Sequence, residues 1–176
     1  SGGKLDVELS PSLAAAILDG LEAIPEPPIH ASNEAILSYL LPNIEAYQAL
    51  QAAGLDEPEL KARLEASLND GVRRLLARQT EDHGWGWYGT TASGSYGIGA
   101  QASPVLGGGG LPDDPYLSAY ILFGLWRANQ AGVYIDETVF IDAREYLHIA
   151  SLPYLSDANP KIWQKDRLAF IQFVMQ

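Results

Sequence analysis

The densest run of side chains able to do chemistry is Gln79-Thr80-Glu81-Asp82-His83-Gly84-Trp85-Gly86-Trp87-Tyr88. Indole and phenol rings are large and carry one polar handle, so Trp85, Trp87 and Tyr88 could form a stacking platform for a sugar or for a partner's side chain. The same residues have a structural use. Gly84 and Gly86 would turn the chain sharply, Gln79 would tie up backbone groups, and the two tryptophans would wedge between neighbouring helical hairpins. The structural use is favoured, because amphipathic rings with a single polar group fill such gaps well.

Other candidates are weaker. Asp113 and Asp114 could act as a carboxylate pair in acid/base work or hold a cation, yet Asp114 directly precedes Pro115, the pattern of a helix N-cap followed by proline at the first helical position. The 3 histidines, His30, His83 and His148, fall in separate segments without paired ligand spacing, so no metal site is expected. Cysteine is absent, which excludes disulfides, thiolate zinc sites and a cysteine nucleophile. No serine sits in a G-x-S-x-G turn. Gly97-Ile98-Gly99-Ala100-Gln101-Ala102 looks like a dinucleotide fingerprint, but it has no strand before it and no helix after it, and it reads as a surface loop. No catalytic residue and no cofactor is expected.

These residues must be positioned by helices. Residues 4–9 alternate Leu5, Val7 and Leu9 with Lys4, Asp6 and Glu8, the period of a half-buried strand, and no second strand follows for it to pair with. From Ser10-Pro11 the period becomes helical through Leu13, Ile17, Leu21 and Ile24, ending at Pro25-Glu26-Pro27-Pro28. A second helix starts near Ser32 and carries Ile36, Leu37, Leu40, Leu41, Ile44 and Tyr47, with Pro42 expected to kink or split it. Asp56-Glu57-Pro58-Glu59 opens a third, with Leu60, Leu64, Leu68, Val72, Leu75 and Leu76 on one stripe. After more than thirty residues without regularity, ending in Gly107-Gly108-Gly109-Gly110, Asp114-Pro115 caps a helix apolar on nearly every side and therefore expected to be buried all round. Asp136-Glu137 opens the next, limited by Pro153, and Asn159-Pro160 opens the last.

The chain has 176 residues, 47% of them hydrophobic, enough for one sizeable core. Acidic residues outnumber basic ones 22 to 11, giving a net charge of -11 and an isoelectric point near 4.5. Nucleic acid is thereby disfavoured as a partner, since its affinity comes largely from Lys and Arg. No run approaches the ~18 apolar residues of a membrane span, so no insertion into a membrane is expected. One strand followed by about six helices, some amphipathic and one apolar all round, fits an all-α fold of two concentric helical layers, an α/α toroid, with an ordinary helix bundle as the competing architecture.

Three stretches make the chain resemble the thioester-domain region of bacterial alpha-2-macroglobulin-like proteins. They are Leu9-Ser10-Pro11-Ser12-Leu13, Ser38-Tyr39-Leu40-Leu41-Pro42-Asn43, and Gln79 to Tyr88 followed by Asp114-Pro115-Tyr116-Leu117-Ser118-Ala119-Tyr120. The resemblance implies a terpenoid cyclase-like α/α toroid of about a dozen helices. Residues 10–176 would be its first half, truncated at the C-terminus, and 1–9 a tag remnant and a strand from a preceding β domain. It implies proteases and neighbouring β domains as partners of the whole protein, and a periplasmic, membrane-anchored or secreted location. Thioester-bearing members carry Cys-x-Glu-Gln ten residues before the helix proline; counting back from Pro42 lands on Ser32-Asn33-Glu34-Ala35. With neither thiol nor glutamine there, the resemblance implies a thioester-free protein that inhibits proteases by changing shape or only binds partners. Two rival readings are an α/α-toroid enzyme, either a terpene cyclase or a sugar-processing enzyme, and a carbohydrate-binding module using Trp85, Trp87 and Tyr88. A cyclase needs an aspartate-rich proton donor, and the only adjacent aspartates, Asp113 and Asp114, stand at a helix start.

Overall fold

The computed structural model describes residues 20–21, 24–54, 56–88 and 113–176. The expected strand at residues 4–9, the Ser10-Pro11 helix start, the Gly97–Ala102 motif and the Gly107–Gly110 run lie outside the described residues. Within them the fold is all-α, with no strand: α1 (Asn33–Ala53), α2 (Pro58–Leu76), α3 (Pro115–Gln130), α4 (Glu137–Leu155) and α5 (Ile162–Val174).

Local chemistry sets the helix limits. Ser32 caps α1 by accepting the Ala35 N–H (3.1 Å), and Gly54 closes it in the left-handed conformation, φ 63°, which a residue without Cβ adopts at little cost. Pro58 starts α2 and Pro115 starts α3, where a missing N–H deprives the helix of nothing. Asp136 caps α4, accepting the Thr138 N–H (2.9 Å). The last helix starts at Ile162, and Gln164 Oε1 reaches back to the Lys161 N–H (2.7 Å).

Two prolines lie inside helices. Pro42 was expected to kink or split α1, but α1 runs unbroken over 21 residues. Proline removes only the ladder bond to Ser38 O, and the buried Asn43 side chain adds a separate bond to the Tyr39 carbonyl (2.7 Å), one turn back. Its flanks, Leu40 and Ile44, are fully buried and hold both halves on the core. Pro153 does not stop α4, which continues through Leu155.

Contacts fix the directions. Asn33 meets Arg78, Leu40 meets Gly71 and Tyr47 meets Glu65, so α1 and α2 are an antiparallel hairpin. Leu37 abuts Gly124 and Gln48 meets Arg127; Tyr116 stacks near Phe170 and Phe123 near Phe173. Positions rise together in both sets, and α1, α3 and α5 are parallel. The middle helix α3 packs against all four others. Its core face, Leu117, Ile121, Leu122, Leu125 and Ala128, is sealed, but Tyr116 and Trp126 remain 40% and 44% exposed, so α3 is not buried all round. Tyr116 lies on the side that α5 partly covers, through Phe170.

Ahead of α1, the segment 27–31 is seated by two arginines, Arg74 of α2 and Arg78 just past its end. Arg74 donates to the carbonyls of Pro27 (2.9 Å) and Pro28 (2.5 Å), and Arg78 to those of Ala31 (2.6 Å) and Ile29 (2.5 Å).

Candidate functional site

From Leu76 the chain must reverse and cross the end of the α1–α2 hairpin. The reversal is tied from within: Thr80 N–H donates to Gly84 O (3.0 Å), His83 N–H to Thr80 O (3.0 Å) and Gln79 Nε2 to His83 O (3.1 Å). His83 takes the left-handed conformation at φ 65°, a strained position that those bonds hold.

Trp85 follows, with no exposed surface. Its indole N–H donates to Leu75 O (2.8 Å), its main-chain N–H donates to Ser118 Oγ (2.8 Å), and the Ser118 hydroxyl donates back to Trp85 O (3.1 Å). The Asp114 N–H reaches the same carbonyl (3.1 Å). One residue thus joins the end of α2, through its ring, to the first turn of α3, through its main chain. The expectation of two wedged tryptophans is corrected: Trp87 and Tyr88 are 52% and 54% exposed. Trp87 contributes its carbonyl, which accepts the Asn33 N–H (2.8 Å).

Asn33 is completely buried. Its Nδ2 donates to Gly86 O (2.8 Å), and its Oδ1 accepts from Arg78 (3.1 Å). A single amide therefore links α1, α2 and the turn. On either side, Ser32 Oγ is the α1 cap and Glu34 Oε1 accepts the Ser38 hydroxyl (2.8 Å). Ala35 offers only its N–H to that cap. Positions 32–35 are thus used in capping and bracing; none is cysteine or glutamine, and the one carboxamide among them, that of Asn33, is engaged by Gly86 and Arg78.

Asp113 and Asp114 separate in role. Asp114 Oδ1 accepts the N–H groups of Tyr116 (2.9 Å) and Leu117 (3.1 Å), the N-cap of α3 ahead of Pro115. Asp113 is buried, and its Oδ2 accepts the Thr80 hydroxyl (2.5 Å). Burial raises its pKa, the Thr80 hydrogen bond opposes that, and the Asp82 charge adds to it. Burial, and then the Asp113 charge, also raise the Tyr146 phenol. Asp113 Oδ1 and Tyr146 Oη are buried without a protein partner. The turn comes down on this pair at Gly84: a Cβ there would sit 2.7 Å from Tyr146 Cζ and 2.8 Å from Asp113 Oδ2.

Three stretches distant in sequence, residues 32–35, 79–88 and 113–118, are therefore brought together, as a braced junction. His83 Nδ1 faces Asp142 Oδ2 at 3.7 Å on the exposed side. His30 and His148 lie elsewhere, and among the described residues no group of three metal-ligating side chains forms. Thr80, Ser118, Tyr146 and the bracing by Asn33 and Arg78 were not anticipated. Only the pair Arg74 and Arg78 carried a signal, as two like charges one turn apart around the end of α2.

No protein-family model matches the sequence, and no curated protein matches it. Among solved structures, the fold is similar to native alpha-2-macroglobulin from Escherichia coli, in a crystal structure spanning domain MG7 to the C-terminus. The two share 21% identity at a TM-score of 0.56, over 93% of this chain and 23% of that one. The chain thus corresponds to less than a quarter of that structure. At this identity the likeness establishes the fold and leaves a distant resemblance to alpha-2-macroglobulin.

Proposed function

We propose that the chain is a non-catalytic piece of an alpha-2-macroglobulin-like protease inhibitor, the first half of an α/α toroid. In this reading the protein traps endopeptidases by changing shape, without covalent capture, at a periplasmic, membrane-anchored or secreted location, and proteases and neighbouring β domains are its partners. The observation that carries the reading is the junction. Residues 32–35 do structural work in the place where the resemblance puts the reactive motif, in a fold similar to that of alpha-2-macroglobulin.

A static brace of this kind suits a domain that moves as a body. Trp85, Asn33 and Asp114 lock two hairpins together, so a cut elsewhere in the protein would relocate the unit without remodelling it. The test is made on the longer protein in which this reading places the chain. After digestion with a general protease, compaction on a native gel, with the protease retained and still cleaving a small peptide, supports noncovalent trapping. No change of shape and no retained protease removes the inhibitor reading.

The carbohydrate-binding reading keeps one observation in its favour, the half-exposed rings of Trp87 and Tyr88. Trp87→Ala decides it: loss of glycan binding in a folded protein favours a module, and an unchanged glycan response removes it.

A further inference from the structure

Consecutive residues of the turn, His83 and Gly84, come down on successive turns of α4. His83 Nδ1 faces Asp142 Oδ2 at 3.7 Å, and the Gly84 backbone lies so close to Tyr146 that a Cβ would stand 2.7 Å from its ring. Asp142 and Tyr146 are four residues apart and share one face of the helix. Among the described residues no hydrogen bond joins the turn to α4, so this contact rests on packing and charge.

Both points of contact respond to protons, and in the same sense. Asp113 and Tyr146 are each 7% exposed, and Asp113 Oδ1 and Tyr146 Oη have no protein partner. Thr80 serves Asp113 Oδ2, but a charged Asp113 keeps its other oxygen in a buried place with no donor. Burial therefore favours the neutral carboxyl, the Thr80 bond opposes it, and the Asp82 charge in the turn reinforces it. Asp114, at the start of α3, adds a further negative charge beside Tyr146, and no lysine or arginine acts on Asp113 or Tyr146 to offset these acids. A proton on Asp113 removes the buried charge. At the other point, His83 and Asp142 attract as an ion pair only while the imidazole is protonated.

We propose that residues 80–84 and α4 form an acid-strengthened latch: protons on Asp113 and His83 seat the turn on α4, and loss of both lets residues 80–84 lift while the helices stay folded. Opening returns Asp113 to water and its ordinary 3.8, so each step of pH above that value favours the open form until the seated carboxyl has also lost its proton. The junction is then firmest in acid. This goes beyond the function proposed above and stands without it.

Amide hydrogen exchange of the full 176-residue chain, followed by NMR from about pH 4 to about pH 7.5 and corrected for the intrinsic rate at each pH, tests the latch. The probes are the Thr80 and His83 N–H groups, whose acceptors lie within the turn, and the references are Leu68 and Val72 on the buried stripe of α2. Relative to the references, protection of the probes should fall at least about five-fold over that range, since one released proton gives up to about ten-fold per pH unit. Asp113→Asn and His83→Asn, the latter suited to the left-handed φ of 65°, should each shrink the fall, and the double variant should abolish it. A flat wild-type profile, an equal fall in α2, or a fall that survives in the double variant would overturn the proposal. If Asp113→Asn disturbs the fold, the wild-type profile and His83→Asn decide, and an undiminished fall in His83→Asn overturns it.

Discussion

Trp85 and Trp87 are two residues apart and should differ sharply when truncated. Trp85 has no exposed surface, and its ring fills the space between the end of α2 and the first turn of α3. Removing a fully buried indole forfeits its burial and leaves a cavity, together about 3–5 kcal/mol. The lost bond to Leu75 O adds little, because that carbonyl also accepts the Arg78 N–H at 3.1 Å. A loss of 3–5 kcal/mol is a large part of the ~5–15 kcal/mol that holds a domain folded, and lowers Tm by roughly 6–20 °C at this chain length. Trp85→Phe keeps most of the ring and should lose about 1–2 kcal/mol. For Trp87→Ala, at 52% exposure with only its main-chain carbonyl engaged, the expected loss is below about 1 kcal/mol. Urea titrations followed by far-UV circular dichroism measure all three without depending on the indole removed. Equal losses at the two tryptophans, or a loss under about 1 kcal/mol for Trp85→Ala, would refute the assignment of the wedge to one ring.

Gly84→Ala places a methyl 2.7 Å from the Tyr146 ring and should destabilise by about 1–3 kcal/mol in the same titration, since neither that buried ring nor the Asp113 carboxylate can step aside. Asp113 has a folded-state pKa raised above its ordinary 3.8, chiefly by burial, so its stabilising contribution is whole below that value and is lost as pH rises through the raised one. Asp113→Asn should therefore gain on the wild type as pH goes from about 4 to about 7, and parallel stability curves over that range would contradict the assigned direction. Asn33→Ala removes two side-chain bonds from a buried site and strands the Gly86 carbonyl; the expected loss is about 2–4 kcal/mol, with hydrogen exchange fastest at Trp85 and Trp87.

Much of the helical order was legible because it depends on local signals. The α2 stripe Leu60, Leu64, Leu68, Val72 and Leu75 is the buried stripe, and its start at Pro58 follows the acidic cap segment. Pro42 misled because it removes only the ladder bond to Ser38 O, while Leu40 and Ile44 on either side are buried and hold α1 on the core, so the helix is not split. The rings of α3 misled for a different reason. Apolar residues on every side suggest full burial, but α5 covers only part of Tyr116 and Phe123, and Trp126 is 44% exposed beside Phe123. At the junction, Asp114 was readable because a cap is local, whereas the Thr80–Asp113 bond spans 33 residues and Asn33–Gly86 spans 53, with no periodic trace of either.

The two arginines that seat residues 27–31 grip that segment by its carbonyls. Every residue type carries the same carbonyl, so much of the instruction for this crossing is written in Arg74 and Arg78 and not in the segment itself. Its exposed side chains are then at liberty to drift while the path stays put, and Ile29, 90% exposed, can be exchanged for a polar residue or a spectroscopic label without moving α1, whereas Pro27 is buried and Ala31 packs on the core. The arginines have no such latitude: one exchanged for lysine replaces a two-pronged grip with a single point, and the crossing would come loose from a helix that remained intact.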